Sequence, residues 1–284
     1  MKTVKFTKVH GAGNDFILFD RKLNENLTLT PDMIKKICRR HFGIGADGVL
    51  VISDSSSADF EVGYYEADGT TGNLCANGAR CVIKYAKETN RLEEDTTRFI
   101  FNNIEYTGDI LSDGQVRFKL NPPVMSKFNF FIKASNQLIK SSYIDNGTPH
   151  VVIKIDNILK NSKDTKSFYT DLDEIPIIEL AREIRYSPDF APKGTNVNFY
   201  KIKENFVYIR SYERGVENET LACGTGIAAA AIVCYNNEKM KSPLKFVTLG
   251  REVLTVDFSV ENQRVKQLSL IGRAELVYNG ELLI

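Results

Sequence analysis

The feature of this sequence that most constrains its fold is an internal duplication, in which four blocks recur in the same order with a period of about half the chain. The first block is a polar turn that leads into an apolar, β-branched run, at residues 13–20 and again at 147–156. Such a run predicts a turn followed by a strand. A single matching block can arise by chance, whereas four collinear blocks indicate two halves that fold alike.

The second block is a helix, and the third is a glycine turn before a strand. Thr30 followed by Pro31 predicts a helix start, with threonine as the N-cap and proline at the first helical position. The echo of this helix occupies residues 173–184. The glycine turn and its strand lie at residues 45–52 and return at 194–200.

The fourth block contains the reactive residues. In both copies a strand is followed by Tyr-Glu, a glycine turn and a C-x-x-G motif, at residues 60–85 with Cys75 and at 206–233 with Cys223. Each motif opens an apolar segment that is long enough for a buried helix. Hairpin-like strands are predicted after each helix, at 98–106 with 116–120, and at 244–249 with 253–258 and 267–278.

Together the blocks predict an α+β protein of two pseudo-symmetric halves, each with a β-sheet and one central buried helix. The N-terminal half is expected at residues 1–121 and contains Cys75. The C-terminal half is expected at residues 122–284 and contains Cys223, with its last strands able to pack back on the N-terminal half.

Composition excludes several classes of function. The net charge of +1 gives no reason to expect a nucleic-acid partner. The longest apolar run, at residues 227–234, is too short for a membrane span, and the N-terminus has no signal pattern, so a cytoplasmic protein is expected. Five cysteines without a regular framework suit a reducing compartment. With three histidines and no zinc-ligand spacing, no metal site is predicted.

The repeated cysteines each stand directly before a predicted helix. A helix N-terminus carries a partial positive charge and unpaired N–H groups, so it favours the thiolate and lowers a thiol pKa from about 8.5. The same N–H groups can bind a substrate carboxylate. The N–H groups in question belong to Ala76, Asn77, Gly224 and Thr225.

Two such cysteines fit the inversion of a carbon centre. If the halves pair about a pseudo-twofold axis, Cys75 and Cys223 face opposite sides of one Cα. One thiolate removes the Cα proton and the other thiol returns a proton on the opposite face. Meanwhile the helix N-termini stabilise the charge that develops on the carboxylate. The sequence therefore predicts an amino-acid epimerase or racemase, and it leaves open which cysteine serves which stereoisomer.

Other polar residues of the blocks are candidate substrate contacts. Asn14 and Asn196 lie at turns before strands, where an amide side chain can reach a ligand. Arg214 is suited to a second substrate carboxylate, and Glu213 or His150 can relay protons to the thiols. Turn formation and surface ion pairing are the alternative explanations for these residues.

Over nearly its whole length the sequence resembles the diaminopimelate epimerase family. The matching motifs are H-G-A-G-N-D-F at 10–16, G-I-G-A-D-G at 43–48, A-D-G at 67–69, C-A-N-G-A-R-C at 75–81, Y-E-R-G at 212–215 and A-C-G-T-G at 222–226. The resemblance implies two halves that each wrap a sheet around a central helix. It also implies paired catalytic cysteines, no pyridoxal phosphate or other cofactor, no metal, and a homodimer.

The resemblance further implies substrate contacts at Asn14, Asn196, Glu213 and Arg214, with His150 near the cysteines. The implied reaction interconverts LL- and meso-2,6-diaminopimelate, in the synthesis of lysine and of a peptidoglycan precursor.

Three positions of the substrate pocket depart from the family pattern. Glu66 and Thr148 stand where the family usually has asparagine, and Ala76 stands where it has glycine. A carboxylate at Glu66 would repel a substrate carboxylate and attract an ammonium or imidazolium. A racemase of another amino acid, such as histidine, is therefore an alternative. A non-catalytic amino-acid-binding protein and a phenazine-type isomerase are further alternatives, of which the latter lacks the cysteine pair.

Overall fold

The computed structural model describes residues 3–72 and 74–283 of the chain. These residues form seventeen strands and four α-helices, and they divide into two compact units. The N-terminal unit holds the residues up to Lys119 and those from Ile271 onward, and the C-terminal unit is Leu120–Leu270. The first division lies close to residue 121, where the two halves are expected to meet.

The helices are α1 (Pro31–Cys38), α2 (Ala76–Glu88), α3 (Ile177–Arg185) and α4 (Gly224–Glu238), with short 3-10 turns at Ile155–Asn157, Leu172–Glu174 and Pro188–Phe190. The strands are β1 (Thr3–Gly11), β2 (Asn14–Asp20), β3 (Gly48–Ser53), β4 (Phe60–Glu66), β5 (Thr96–Phe101), β6 (Ile104–Ile110), β7 (Val116–Lys119), β8 (Met125–Ala134), β9 (Gln137–Asp145), β10 (Pro149–Lys154), β11 (Asn196–Lys203), β12 (Phe206–Glu213), β13 (Asn218–Thr220), β14 (Leu244–Val247), β15 (Val253–Glu261), β16 (Arg264–Gly272) and β17 (Glu275–Leu283).

The N-terminal unit is one mixed sheet with the strand order β17-β1-β2-β3-β4-β5-β6-β7. Only the pairs β2–β3 and β4–β5 are parallel, and each is connected through a helix, α1 for the first and α2 for the second. Helix α2 contacts strands near both ends of this order, β1 and β17 as well as β6 and β7. The sheet therefore curves around α2, as expected for a helix with most of its residues buried.

Helices α1 and α2 pack on opposite faces of this sheet. Successive residues of one strand point to opposite faces, so they contact different helices. Ile34 of α1 packs in one cluster with Ile17 and Val49. Leu50, the residue after Val49, lies instead against Gly78 of α2. Helix α1 begins as predicted, since Thr30 is its N-cap and its hydroxyl accepts a hydrogen bond from the N–H of Met33.

The C-terminal unit repeats this arrangement with the order β8-β9-β10-β11-β12-β14-β15. Its parallel pairs are β10–β11, connected through α3, and β12–β14, connected through α4. The short strand β13 adds to β12 beside β14. Residues 224–234 of α4 are all buried, and the helix contacts β9, β10, β11 and β15. The predicted α+β fold, with a helix at the centre of each sheet, is confirmed.

Strand registers identify equivalent residues in the two units. Phe16 pairs with Gly48 in β2–β3, and His150 pairs with Asn196 in β10–β11. Phe16 is thus equivalent to His150, and Gly48 to Asn196. Two residues further along β3 and β11, Leu50 is equivalent to Asn198.

The same comparison relates the ends of β4 and β12. Tyr65 pairs with Val49, as Tyr212 pairs with Val197. The residues that follow these tyrosines, Glu66 and Glu213, are therefore equivalent.

Two predicted strands are interrupted in the structure. The segment 98–106 is split into β5 and β6 by Asn102 and Asn103, which both adopt positive φ in a two-residue turn. The segment 267–278 is split at residues 273–274, and its second part, β17, pairs with β1 of the N-terminal unit. The β8–β9 hairpin was not predicted.

Candidate active site

Cys75 is the N-cap of α2 in the N-terminal unit. Its Sγ accepts a hydrogen bond from the N–H of Gly78 at 3.4 Å, which is the side-chain capping contact of this helix. Backbone at residue 75 is extended, so the thiol stands at the helix start and not in its first turn. Cys75 is half-buried, while the helical residues that follow it are buried.

Asn14 lies directly against Cys75. The thiol donates to Asn14 Oδ1 at 3.4 Å, and the same oxygen accepts from Asn77 Nδ2 at 3.3 Å. Asn14 Nδ2 in turn donates to Asp47 Oδ2 at 2.8 Å, which fixes which end of the amide faces the thiol. The structure thus brings together Cys75, Asn14 and Asn77 as the sequence predicts, and adds Asp47 as the group that orients Asn14.

Glu66 ends β4 in the same unit. Tyr64 Oη donates to its Oε2 at 2.7 Å. Burial raises the pKa of Glu66 despite this hydrogen bond, and the nearby carboxylates of Asp68 and Asp47 raise it further. A protonated Glu66 has an O–H donor and no charge, so it can serve the role of an amide at this position.

Cys223 is the N-cap of α4 and is almost completely buried. Burial raises its pKa well above the ordinary thiol value, and the carboxylate of Glu213, which hydrogen-bonds the thiol, raises it further. Hydrogen bonds from the Gly226 N–H and the Thr225 side chain act in the opposite direction. The expectation that the helix N-terminus lowers the thiol pKa is therefore wrong for Cys223, because burial and a neighbouring carboxylate outweigh the helix end.

His150 lies beneath the first turn of α4. Its Nε2 is 3.0 Å from Thr225 Oγ1, and Thr225 Oγ1 is 3.7 Å from Cys223 Sγ. On its other side, Nδ1 of His150 is 3.2 Å from Asn198 Nδ2. Complete burial, with a smaller effect from Arg214, lowers the pKa of His150 to about 3, so the ring is neutral at physiological pH.

Asn196, the last residue of β12 (Glu213) and the residue after it (Arg214) form a second polar group of this unit. Asn196 Nδ2 donates to the carbonyl of Pro149 at 3.2 Å, and its Oδ1 accepts from the N–H of Arg214 at 2.7 Å. The Arg214 guanidinium donates to the carbonyl of Lys193 at 3.1 Å. Glu213 accepts from the hydroxyl of Thr220.

The remaining predicted residues lie at the same strand and helix ends. Ala76 and Gly224 are the first residues of α2 and α4, and both are buried. Thr148 is half-buried in the bend before β10 and is the equivalent of Asn14. The predicted residues of each unit therefore lie at the ends of its strands and at the start of its central helix.

Asn198 and Ser211 are buried polar residues that the sequence analysis did not identify. Ser211 Oγ donates to Asn198 Oδ1 at 2.8 Å, beneath the start of α4. The sequence signal that could identify Asn198 is its spacing of two residues from Asn196, because alternate residues of a strand point to the same face of the sheet. Among the described residues, no group of three or more His, Cys, Asp or Glu is arranged to hold a metal ion. Nor does any helix among them have the length and apolarity of a membrane span.

Solved structures share this fold. A phenazine biosynthesis protein of the PhzF family from Bacillus anthracis superposes with a TM-score of 0.73, covering 100% of both chains at 17% sequence identity. A probable proline racemase from Agrobacterium radiobacter superposes with a TM-score of 0.70 at 12% identity, over 99% of this chain and 93% of the other. At such identities the likeness establishes the fold alone.

Sequence comparison defines the family among proteins of this fold. The model of the diaminopimelate epimerase family matches residues 6–125 and 142–277. The diaminopimelate epimerase of Aquifex aeolicus is 33% identical over 98% of both chains, and that of Hydrogenobaculum is 35% identical over 97% of both. The chain belongs to the diaminopimelate epimerase family and is an isomerase of the epimerase type, so the resemblance inferred from its motifs is confirmed.

Proposed function

We propose that this chain interconverts LL- and meso-2,6-diaminopimelate by proton transfer at Cα, with Cys75 and Cys223 as the acid–base pair. The observation that carries this proposal is the repeated site, in which each unit places a cysteine as N-cap of its central buried helix. Curated relatives named diaminopimelate epimerase match almost the full chain, which supports the substrate.

The proposed step moves one proton off Cα and one proton onto it. A thiolate on one face takes the Cα proton and becomes a thiol, and the electron pair left on Cα delocalises into the substrate carboxylate. The thiol on the other face gives its proton to Cα and becomes a thiolate. The N–H groups of the two helix starts supply hydrogen bonds for the carboxylate as its charge grows.

The environment of Cys223 suits it to hold the proton at rest. Burial and the Glu213 carboxylate raise the pKa of this thiol, so Cys223 begins as the acid. The thiol of Cys75 donates to Asn14 Oδ1 at rest, so Cys75 must lose this proton before it acts as the base. The two cysteines exchange roles when the reaction runs in reverse.

The position of Glu66 favours one alternative substrate class. An ionised Glu66 would attract an ammonium or imidazolium in place of the distal carboxyl end of diaminopimelate. Burial raises the pKa of Glu66, which favours its uncharged form, and a Glu66 that holds its proton can donate a hydrogen bond to a substrate carboxylate. The curated relatives are the reason that diaminopimelate stays our proposed substrate. A racemase of a basic amino acid such as histidine remains the second candidate.

Stereoisomer conversion tests the two candidates directly. Purified protein is incubated with LL-diaminopimelate, meso-diaminopimelate or L-histidine, and the products are separated by chiral chromatography. We expect LL and meso forms to interconvert from either side, with no D-histidine. Conversion of histidine alone would assign the chain to the second candidate, and no conversion of any substrate would leave a non-catalytic binding protein.

The contribution of Glu66 to substrate binding can be measured separately from proton transfer at Cα. For the wild-type protein we expect the KM for diaminopimelate to rise with pH as Glu66 loses its proton, because the raised pKa places this loss above the usual carboxyl range. The Glu66→Gln variant, which keeps an uncharged donor, should show a KM that does not change over the same range. An equal pH dependence in both proteins would remove Glu66 from substrate binding.

Three further properties belong to the same proposal. The reaction needs no pyridoxal phosphate or other cofactor, the protein acts in the cytoplasm, and it forms a homodimer. Full activity after exhaustive dialysis against a chelator and treatment with hydroxylamine is expected for the first property. Light scattering over a range of protein concentrations measures the third, and a monomer mass at all concentrations would contradict it.

A further inference from the structure

The side chains that lie beneath the two cysteines differ in polarity. Beneath Cys223 lie His150 and Asn198, both fully buried, with Thr225 in the first turn of α4. The equivalent strand positions beneath Cys75 are occupied by Phe16 and Leu50. A duplicated fold thus places a polar network under one cysteine and apolar side chains at the matching strand positions under the other.

Donors and acceptors in this network can be assigned one after another, starting from Asn198. The carbonyl of Val151 can only accept, so the atom 3.1 Å from it is the amide nitrogen of Asn198. Ser211 Oγ, 2.8 Å from the amide oxygen, is the donor to that oxygen. The second N–H of Asn198 then faces His150 Nδ1 at 3.2 Å.

A ring nitrogen that faces an N–H donor must carry a lone pair. His150 Nδ1 therefore accepts, and in the neutral ring the proton is on Nε2. The Nε2–H donates to Thr225 Oγ1 at 3.0 Å. Because the Thr225 oxygen already accepts from the ring, its own proton is left for Cys223 Sγ at 3.7 Å.

We propose that Asn198 is a positioning residue that holds His150 as the Nε2–H tautomer, so that a chain of donors ends on the sulfur of Cys223. When Cys223 gives its proton to Cα, the hydroxyl of Thr225 stabilises the thiolate that forms. His150 acts in this chain as a donor and takes no proton from the thiol. Glu213 hydrogen-bonds the same thiol, and the proton of Cys223 itself goes to Cα.

The lowered pKa of His150 agrees with this direction, since burial disfavours the charged form of the ring. The tautomer itself follows from the hydrogen bonds alone. The catalytic consequence rests on the proposed function, whereas the tautomer can be measured in a protein of any activity.

Nitrogen-15 NMR of histidine rings tests the tautomer. The chain has only three histidines, and the His150 signals are assigned by their absence from the His150→Phe variant, which installs the residue found at the equivalent Phe16. We expect His150 to show a protonated Nε2 and an unprotonated Nδ1. If His150→Phe folds poorly, replacement of His10 and His41 assigns the remaining signals to His150. The opposite tautomer, or an imidazolium, in the wild-type protein would overturn the proposal.

The Asn198→Asp variant tests the cause. The introduced carboxylate accepts where the amide nitrogen donated, so the proton of His150 should move to Nδ1. Asn262→Asp, the same change at an exposed turn of the same unit, is the matched control and should leave the His150 spectrum unchanged. An unchanged tautomer in Asn198→Asp would remove Asn198 as its determinant.

Kinetics of three variants tests the consequence for Cys223. Loss of one hydrogen bond to a charged group lowers kcat by about 10-fold to 100-fold, and we expect this for Asn198→Asp and Thr225→Val with KM little changed. Thr225→Ser keeps the hydroxyl and should retain most of the wild-type kcat. Equal kcat for Thr225→Val and Thr225→Ser would overturn the donor chain. A wild-type protein that is inactive but shows the expected tautomer would refute the proposed function. It would also refute the kinetic part of this inference, while the assignment of the tautomer to Asn198 would stand.

Discussion

The third helical residue of each central helix is a glycine, and the two glycines face different neighbours. A Cβ on Gly226 would lie 2.2 Å from Asn198 Oδ1 and 3.2 Å from Cys223 Sγ. A Cβ on Gly78 would lie 3.2 Å from a methyl group of Leu50. The same substitution, glycine to alanine, therefore probes the polar support in one unit and the apolar support in the other.

The magnitudes of the two substitutions follow from these distances. In both helices alanine gains about 0.5–1 kcal/mol over glycine from backbone entropy. In Gly226→Ala the methyl group falls more than about 1 Å inside ordinary contact with Asn198, which is held in place by its hydrogen bonds. Overpacking costs about 1–3 kcal/mol, and a broken hydrogen bond adds about 1 kcal/mol.

We therefore expect Gly226→Ala to lower the free energy of unfolding by about 1–3 kcal/mol. Gly78→Ala should stay within about 1 kcal/mol of wild type, because the Leu50 methyl can move by a few tenths of an ångström. Urea denaturation measures both values, and Cα proton exchange measures the activity of each variant. Equal destabilisation by the two variants, or a tolerated Gly226→Ala, would refute the packing difference between the two helix starts.

Three other perturbations have defined outcomes. The Asp20–Arg91 ion pair is buried, so Asp20→Asn should lower the free energy of unfolding by about 3–5 kcal/mol, measured in urea. The pKa of His150 is lowered from 6.5 to about 3, so its contribution to stability is complete above pH 6.5 and is lost as pH falls toward 3. The fall in unfolding free energy, on the order of 5 kcal/mol, should be absent from the pH profile of His150→Phe. If Cys75 and Cys223 face one substrate, mild oxidation should inactivate the protein and dithiothreitol should restore it, and activity that is indifferent to both reagents would contradict that placement.

The duplication was predictable because each of its blocks has a local signal. Thr30 and Pro31 mark a helix start by their own chemistry, and the structure places the N-cap there. Cys75 and Cys223 each precede an apolar segment, on one face of α2 and on all sides of α4, so both are predicted at the starts of buried helices.

Other features depend on partners that are distant in sequence. A single glycine, Gly272, precedes the break between β16 and β17. Strand β17 pairs with β1 at the other end of the chain, and that partner is not visible in the local sequence. The β8–β9 hairpin is not among the predicted elements, although Ser135 and Asn136 at its turn adopt positive φ and the middle of β8 alternates polar and apolar residues. Asn102 and Asn103 did provide a local turn signal, which the apolar residues on both sides obscured.

The pKa shifts of the site residues also could not be predicted from the local sequence. Helix position alone predicts a lowered thiol pKa for Cys223, but burial and Glu213 raise it. The amount of burial is set by the whole sheet around α4, and the distance to Glu213 is set by the register of β12. Asn198 likewise becomes significant only when the register places it beneath Thr225 and His150.

The central claim is that two cysteines exchange protons with one Cα, and deuterium incorporation tests it most directly. Reduced protein is incubated in deuterated water with LL- and with meso-diaminopimelate, beside Cys75→Ala and Cys223→Ala. We predict rapid incorporation at Cα and full interconversion by the wild-type protein, with interconversion lost in both variants. Interconversion that survives the loss of either cysteine would contradict the two-cysteine mechanism.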